Sequence, residues 1–113
     1  MYCGKDVRIF LRGEAKIAYI ELKQRNDKEA LSLLNSIERI KEILKQNPMY
    51  GDPLRKELIP IALRKQGIQN LYRVELSGYW RMLYTIEGSE VEILLFILEI
   101  INHKKYNKLF GYK

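Results

Sequence analysis

The side chains of this sequence with the reach to do chemistry are a single histidine, His103, and a set of arginines, lysines and tyrosines. His103 stands in Asn-His-Lys-Lys-Tyr over 102–106. Imidazole titrates ordinarily near ~6.5, which makes it the ready proton carrier at neutral pH. Arg81 lies in Gly-Tyr-Trp-Arg-Met-Leu-Tyr-Thr-Ile over 78–86, and Arg73 in Leu-Tyr-Arg-Val-Glu-Leu over 71–76. Guanidinium groups stabilise the negative charge of a pentavalent phosphorane, and an imidazole or phenol moves the proton. Such a set suffices for metal-free cleavage of RNA through the ribose 2′-hydroxyl.

Each residue also has a plainer use. Arg81 and Arg73 could serve in exposed cross-strand ion pairs, Arg81 with Glu75. A lone histidine is most often a surface residue or the neighbour of a helix cap. Tyr106 and Tyr112 could stack on a base or donate to phosphate. Alternatively, Tyr106 joins Leu109 and Phe110 at i, i+3, i+4 spacing and pins a C-terminal helix. Arg55, Lys56, Arg64 and Lys65 form a basic flank, and Lys104 and Lys105 a second cluster beside His103. Basic runs of this kind are solvated faces, or they meet nucleic acid or an acidic partner.

Composition removes other chemistries. The chain has 113 residues, with 20 Lys and Arg against 14 Asp and Glu, a formal charge of +6. That length suits one domain over 1–113, and the charge suits a polyanion. Cys3 is the sole cysteine, so no internal disulfide forms, and one cysteine with one histidine cannot make a zinc set. HExxH, CxxC, GxSxG, P-loop and GxGxxG patterns do not occur. No metal and no cofactor are therefore expected. The longest apolar run, 91–101, is broken by Glu92 and Glu99 and falls short of the ~20 residues a bilayer span needs. The N-terminus shows no signal-peptide pattern, and the expected location is cytoplasmic.

The elements that must position these residues follow from periodicity. A short strand is expected over 7–11. Ala15, Ala18, Tyr19 and Leu22 mark a helix running to about Arg25. Asn26 with Glu29 resembles a capping box for a second helix, whose stripe is Ala30, Leu33, Leu34, Ile37, Ile40 and Leu44 and which Asn47-Pro48 stops. A turn over 50–53 leads to a basic loop over 54–70 with one helical turn. Three strands follow, over 71–76, 80–86 and 91–100, with turns at 77–79 and 87–90. Pairing Leu76 with Trp80, and Glu87 with Glu90, places Tyr72, Val74, Leu76, Trp80, Met82, Tyr84, Ile86, Val91, Ile93, Leu95 and Ile97 on one apolar face. That face should receive both helices. Arg73, Glu75, Arg81, Leu83, Thr85, Glu92, Leu94 and Phe96 share the other, where chemistry or a partner belongs.

In this order and spacing, the series Leu-Tyr-Arg at 71–73, Gly-Tyr-Trp-Arg-Met-Leu-Tyr-Thr-Ile at 78–86 and His-Lys-Lys-Tyr at 103–106 resembles the RelE/ParE toxin superfamily, and within it the RelE- and HigB-like toxins of type II toxin–antitoxin systems. The resemblance covers nearly the whole chain in element order. It implies an α+β fold in which an N-terminal strand and a two-helix hairpin pack on a four-stranded, mainly antiparallel sheet, with a short C-terminal helix. It implies a metal-independent endoribonuclease that cuts mRNA in the ribosomal A site, and a small acidic antitoxin as partner. Arg81 occupies the position of the family's phosphate-supporting arginine. His103, Lys104 and Tyr106 fall where the family draws further catalytic or binding side chains, with Arg73 assisting. Arg55, Lys56, Arg64, Lys65, Lys104 and Lys105 are the expected RNA-backbone contacts. RelE itself carries lysines and an arginine where this chain has His103. The alternatives are a ParE-like, non-enzymatic inhibitor of DNA gyrase and an inactive relative that only binds antitoxin.

Overall fold

The first and last strands of the chain lie side by side. In the computed structural model, which describes residues 1–112, β1 (Asp6–Leu11) pairs in parallel with β5 (Glu92–Ile101), with Ile9 beside Leu95 and Leu11 beside Ile97. Parallel neighbours need a crossover. It starts with α1 (Glu14–Gln24) and α2 (Lys28–Gln46) and continues through β2 (Asp52–Pro53), α3 (Ile61–Arg64), β3 (Tyr72–Glu75) and β4 (Arg81–Gly88). The sheet order is β1-β5-β4-β3-β2, and every pairing except β1 with β5 is antiparallel. The chain thus folds as a mixed five-stranded sheet with helices, an α+β architecture, closing with α4 (His103–Phe110). The sheet has one strand more than the four expected. The extra strand, β2, is two residues long, and Pro53 is tolerated there because an edge strand needs no outward N–H.

The α1–α2 hairpin forms as the apolar spacing requires, but its second helix is capped one residue later than Asn26. Asp27 Oδ1 accepts from the Ala30 amide at 2.8 Å, while Arg25 bridges Asp27 and Glu29 at 2.7 and 2.9 Å. Glu29 is thereby engaged by Arg25 and does not close a box with Asn26. Arg25 also shares with the Ala30 amide the task of holding the Asp27 carboxyl below its ordinary value, the amide contributing more.

The apolar sheet face receives both helices. Val74, Leu76, Met82, Tyr84, Leu95, Ile97 and Ile100 pack with Ala15, Leu22, Leu33, Ile37, Ile40 and Leu44. The β3–β4 register is the expected one, with Glu75 opposite Arg81. The β4–β5 register is not. Ile86 pairs with Leu95 rather than Val91, and Val91 is exposed. The turn opens into a wider loop because Ser89 closes it, its amide donating to the Glu92 carbonyl at 2.9 Å and its hydroxyl accepting from the Glu92 amide at 3.1 Å. This avoids setting Glu87 opposite Glu90. The shift is by an even number of residues, so Ile93, Leu95 and Ile97 keep their face as far as the bulge.

A bulge between Leu83 and Tyr84 then sets two β5 residues, Leu98 and Glu99, against Leu83. Beyond it Ile100 joins the helix-side core next to Met82, and Ile101 comes opposite Arg81. The other face is less open than its half-polar sequence implies. Ile59, Leu63, Ile68 and Leu71 from the 54–71 segment pack with Leu83, Leu98, Ile101 and Tyr106 into a second core. Thr85, expected on an open surface, is buried beneath that segment, with its hydroxyl donating to Asn70 Oδ1 at 2.9 Å. The 54–70 loop contains two short helical pieces, a 3-10 turn at Lys56–Leu58 and α3.

Candidate functional site

Arg81 opens β4, held between Glu75 of β3 and Ile101 of β5. Two residues past β5 the chain turns into α4. Asn102 caps it, its side chain accepting from the Lys105 amide at 2.8 Å. The helix therefore begins at His103, next to the strand end that carries Arg81. Tyr106 lies three residues on and turns inward, only 4% exposed, while His103 stays at the surface. Leu109 and Phe110 pack against the second core, and the Tyr106 and Phe110 rings lie 4.5 Å apart. The helix-pinning role and the site role of Tyr106 are thus filled by one residue.

The expected residues Arg73, Arg81, His103 and Tyr106 come together here. The Arg81 guanidinium lies 4.4 Å from the centre of the Tyr106 ring, a cation–π contact. Its Nη1 is 3.3 Å from His103 Nδ1. Arg73 Nη1 donates to the Tyr106 hydroxyl at 3.1 Å. On the far side of the imidazole, the Asn107 amide nitrogen is placed 3.3 Å from Nε2. Two cations therefore share one phenol, one through its oxygen and one through its ring.

Their charge is incompletely met. Glu75 approaches Arg81 only to 3.9 Å and Asp52 approaches Arg73 only to 3.7 Å, and both carboxylates are well exposed. These contacts are longer than hydrogen bonds. Nε of Arg73 and Nε of Arg81 are both buried without a hydrogen-bond partner among the described residues. A buried donor left unpaired is costly, and more so on a charged group. Arg73 is held protonated still more firmly than usual, first by its bond to Tyr106 and further by the nearby Asp52 and Glu75. An open depression of about 340 Å³ lined by Tyr50, Gly51, Asp52, Arg73, Val74 and Glu75 gives access on the Arg73 side.

The basic flank is arranged differently from the expectation. Arg64 Nη2 donates to the carbonyls of Lys56 and Glu57 at 3.1 and 2.6 Å. It braces the 3-10 turn, since the Lys56 carbonyl also accepts from the Ile59 amide at 3.2 Å and the Glu57 carbonyl is left to Arg64. Arg55 pairs loosely with Glu57 at 3.7 Å. Lys56, Lys65, Lys104 and Lys105 are exposed and have no ion-pair partner among the described residues. No hydrogen bond or ion pair joins Arg55, Lys56, Arg64 or Lys65 to the Arg73–Arg81 cluster among the described residues. Tyr112 stacks on Phe110 with centroids 5.9 Å apart, and its ring centre lies 6.4 Å from that of Tyr106.

Glu75 was expected opposite Arg81, whereas Asn107 and Asp52 were not legible as site residues. Asn107 had a signal, since it stands four residues after His103 on a helix and so shares its face. Asp52 had none, because its contact with Arg73 depends on the β2–β3 pairing. Among the described residues no group of three or more His, Cys, Asp or Glu is placed to hold a metal ion, and no helix is long and apolar enough to cross a membrane. No family model, no curated protein and no solved structure matches the chain.

Proposed function

We propose that this protein is a RelE/HigB-like toxin of a type II toxin–antitoxin system, a ribosome-dependent endoribonuclease that cuts mRNA through its own 2′-hydroxyl. The observation that carries the reading is the pair of under-neutralised guanidiniums of Arg73 and Arg81, with buried unpartnered Nε atoms, gathered on Tyr106 beside the chain's one histidine. A phosphodiester would supply the anion that both arginines lack. The motif order given above supports the same class.

In the reaction, Arg81 and Arg73 bind the non-bridging oxygens of the scissile phosphate and stabilise their growing charge. The 2′-oxygen attacks phosphorus while its proton passes to His103. The bond from phosphorus to the 5′-oxygen breaks, that oxygen takes a proton from solvent, and the products are a 2′,3′-cyclic phosphate and a 5′-hydroxyl. His103 then returns its proton to solvent. Lys104 and Lys105, exposed on the first turn of α4, hold the flanking backbone. The partners are the ribosome with mRNA in its A site and, in the resting cell, a small acidic antitoxin.

The test is cleavage of mRNA on programmed ribosomes by the wild type, Arg81→Ala and His103→Ala. Each variant should lose about 10²–10³-fold in rate, the scale for removing one preorganised electrostatic or acid–base group. Intact mRNA with inhibited DNA gyrase would replace this reading with that of a gyrase poison. Full activity of both variants would refute the site assignment.

A further inference from the structure

His103 is held between two groups of unequal chemistry. On one side Arg81 Nη1 lies 3.3 Å from Nδ1, and on the other the Asn107 amide lies 3.3 Å from Nε2. A guanidinium is always charged and only donates. Nδ1 must therefore accept, which it can do only without a proton. An amide presents an oxygen or a nitrogen according to how it is turned, and the two ends are assigned from their bonding. With Nδ1 bare, the neutral ring carries its proton on Nε2, and Asn107 meets it with Oδ1 rather than Nδ2.

We infer that Arg81 and Asn107 lock His103 in the Nε2–H tautomer and that Arg81 masks the basic nitrogen Nδ1 until a phosphate draws the guanidinium away. Asn107 is then a positioning residue. The inference deepens the proposed function, since it rests on a phosphodiester as the anion. It also couples two roles. The lone pair that would accept the 2′-hydroxyl proton is occupied in the resting protein, and it becomes free only when Arg81 turns to the substrate. Arg81 can leave without losing its place, because its other contacts are a ring face at 4.4 Å and a carboxylate at 3.9 Å, neither as directional as a hydrogen bond. The base would thus be competent only with an anion in the site.

The chain contains one histidine, so nitrogen-15 labelling of histidine reports on His103 alone. The experiment records the two ring-nitrogen resonances at a pH well above the ordinary imidazole value of ~6.5. It uses the full chain, free and with a 2′-deoxy trinucleotide that cannot be cleaved. The free wild type should show Nε2–H alone, without the minor Nδ1–H form found in a free histidine peptide, and with Nδ1 displaced by the bond from Arg81. Asn107→Ala should bring back the minor form, and Arg81→Lys should move Nδ1 toward its unbonded position. The trinucleotide should do the same to the wild type. A free protein with the proton on Nδ1 overturns the inference, as does an Nδ1 resonance that neither Arg81→Lys nor the trinucleotide moves. These results are independent of ribosomal cleavage. The tautomer lock can hold in a protein that cuts no mRNA, and it can fail in one that does.

Discussion

Arg73 donates to the hydroxyl of Tyr106 at 3.1 Å across 33 residues of sequence, and by that bond the sheet's second edge pair is tied to the C-terminal helix. The same phenol ring lies under Arg81 and against Phe110. Two substitutions separate its duties. Tyr106→Phe keeps the ring and removes the acceptor, and it should cost about 1.5–3 kcal/mol of stability, the scale for a hydrogen bond to a charged group. Tyr106→Ala also empties part of the second core and should cost about 3–5 kcal/mol. Urea unfolding followed by far-UV circular dichroism measures both.

Glu75 lies 3.9 Å from Arg81 and Asp52 lies 3.7 Å from Arg73, so a phosphate bound by these arginines would also feel the repulsion of both carboxylates. Glu75→Gln and Asp52→Asn should each tighten binding of a short RNA by roughly two- to fivefold at low salt, with the gain shrinking as salt screens the lost charge. Stability should change by less than about 1 kcal/mol, since both carboxylates are exposed and their contacts are long. Fluorescence anisotropy at two ionic strengths checks the first point and thermal unfolding the second. An unchanged RNA affinity would mean that phosphate does not approach this pair.

Glu99 is half-buried at the β-bulge. Burial pushes its carboxyl above the ordinary value, Glu14 adds to this, and Lys105 opposes it. A carboxyl raised on folding stabilises the protein while protonated, below the ordinary carboxylate range. That contribution disappears as pH rises through the folded value. At neutral pH the ionised Glu99 is therefore a liability. Glu99→Gln should raise the melting temperature at pH 7 and leave it unchanged well below pH 4, where the wild type carries the proton too. A melting series across that range decides it.

Tyr84 is fully buried, and its hydroxyl donates to the Pro48 carbonyl at 2.7 Å and accepts from the Gly51 amide at 2.9 Å. Burial pushes its phenol up to about 12 from 10.0. The neutral form is the one the fold holds, so stability is complete below the ordinary tyrosine value and falls as pH rises from there through the folded one. Tyr84→Phe should flatten that alkaline loss, leaving the share from Tyr19, also raised to about 12 by burial and by Glu38. The approach that makes these bonds also explains Gly51. A Cβ there would lie 2.8 Å from the Tyr84 oxygen and 3.0 Å from a Val74 methyl. Gly51→Ala should cost about 1–3 kcal/mol, the usual penalty for overpacking, read from denaturant midpoints.

Local order was written into the residues themselves. Alternation placed Val74, Met82, Tyr84, Leu95 and Ile97 on one face, and the i, i+3, i+4 stripes of α1 and α2 met that face as their spacing required. The opposition of Glu75 and Arg81 across Gly78 was likewise local, since a short turn leaves few registers. Long-range placement was not. A period of two states which face a side chain takes but not its partner along the strand, so the shift that pairs Ile86 with Leu95 has no signature in polarity. The bulge that carries Ile101 opposite Arg81 and delivers α4 to that strand end is a property of two paired strands. The second core required the 54–71 segment to fold back over the sheet. Arg81 and His103, 22 residues apart, could be nominated one by one from their chemistry, but their 3.3 Å approach comes from the tertiary structure. Side-chain type is set residue by residue, whereas a site is a set of distances, and those depend on the packing of every element between its members.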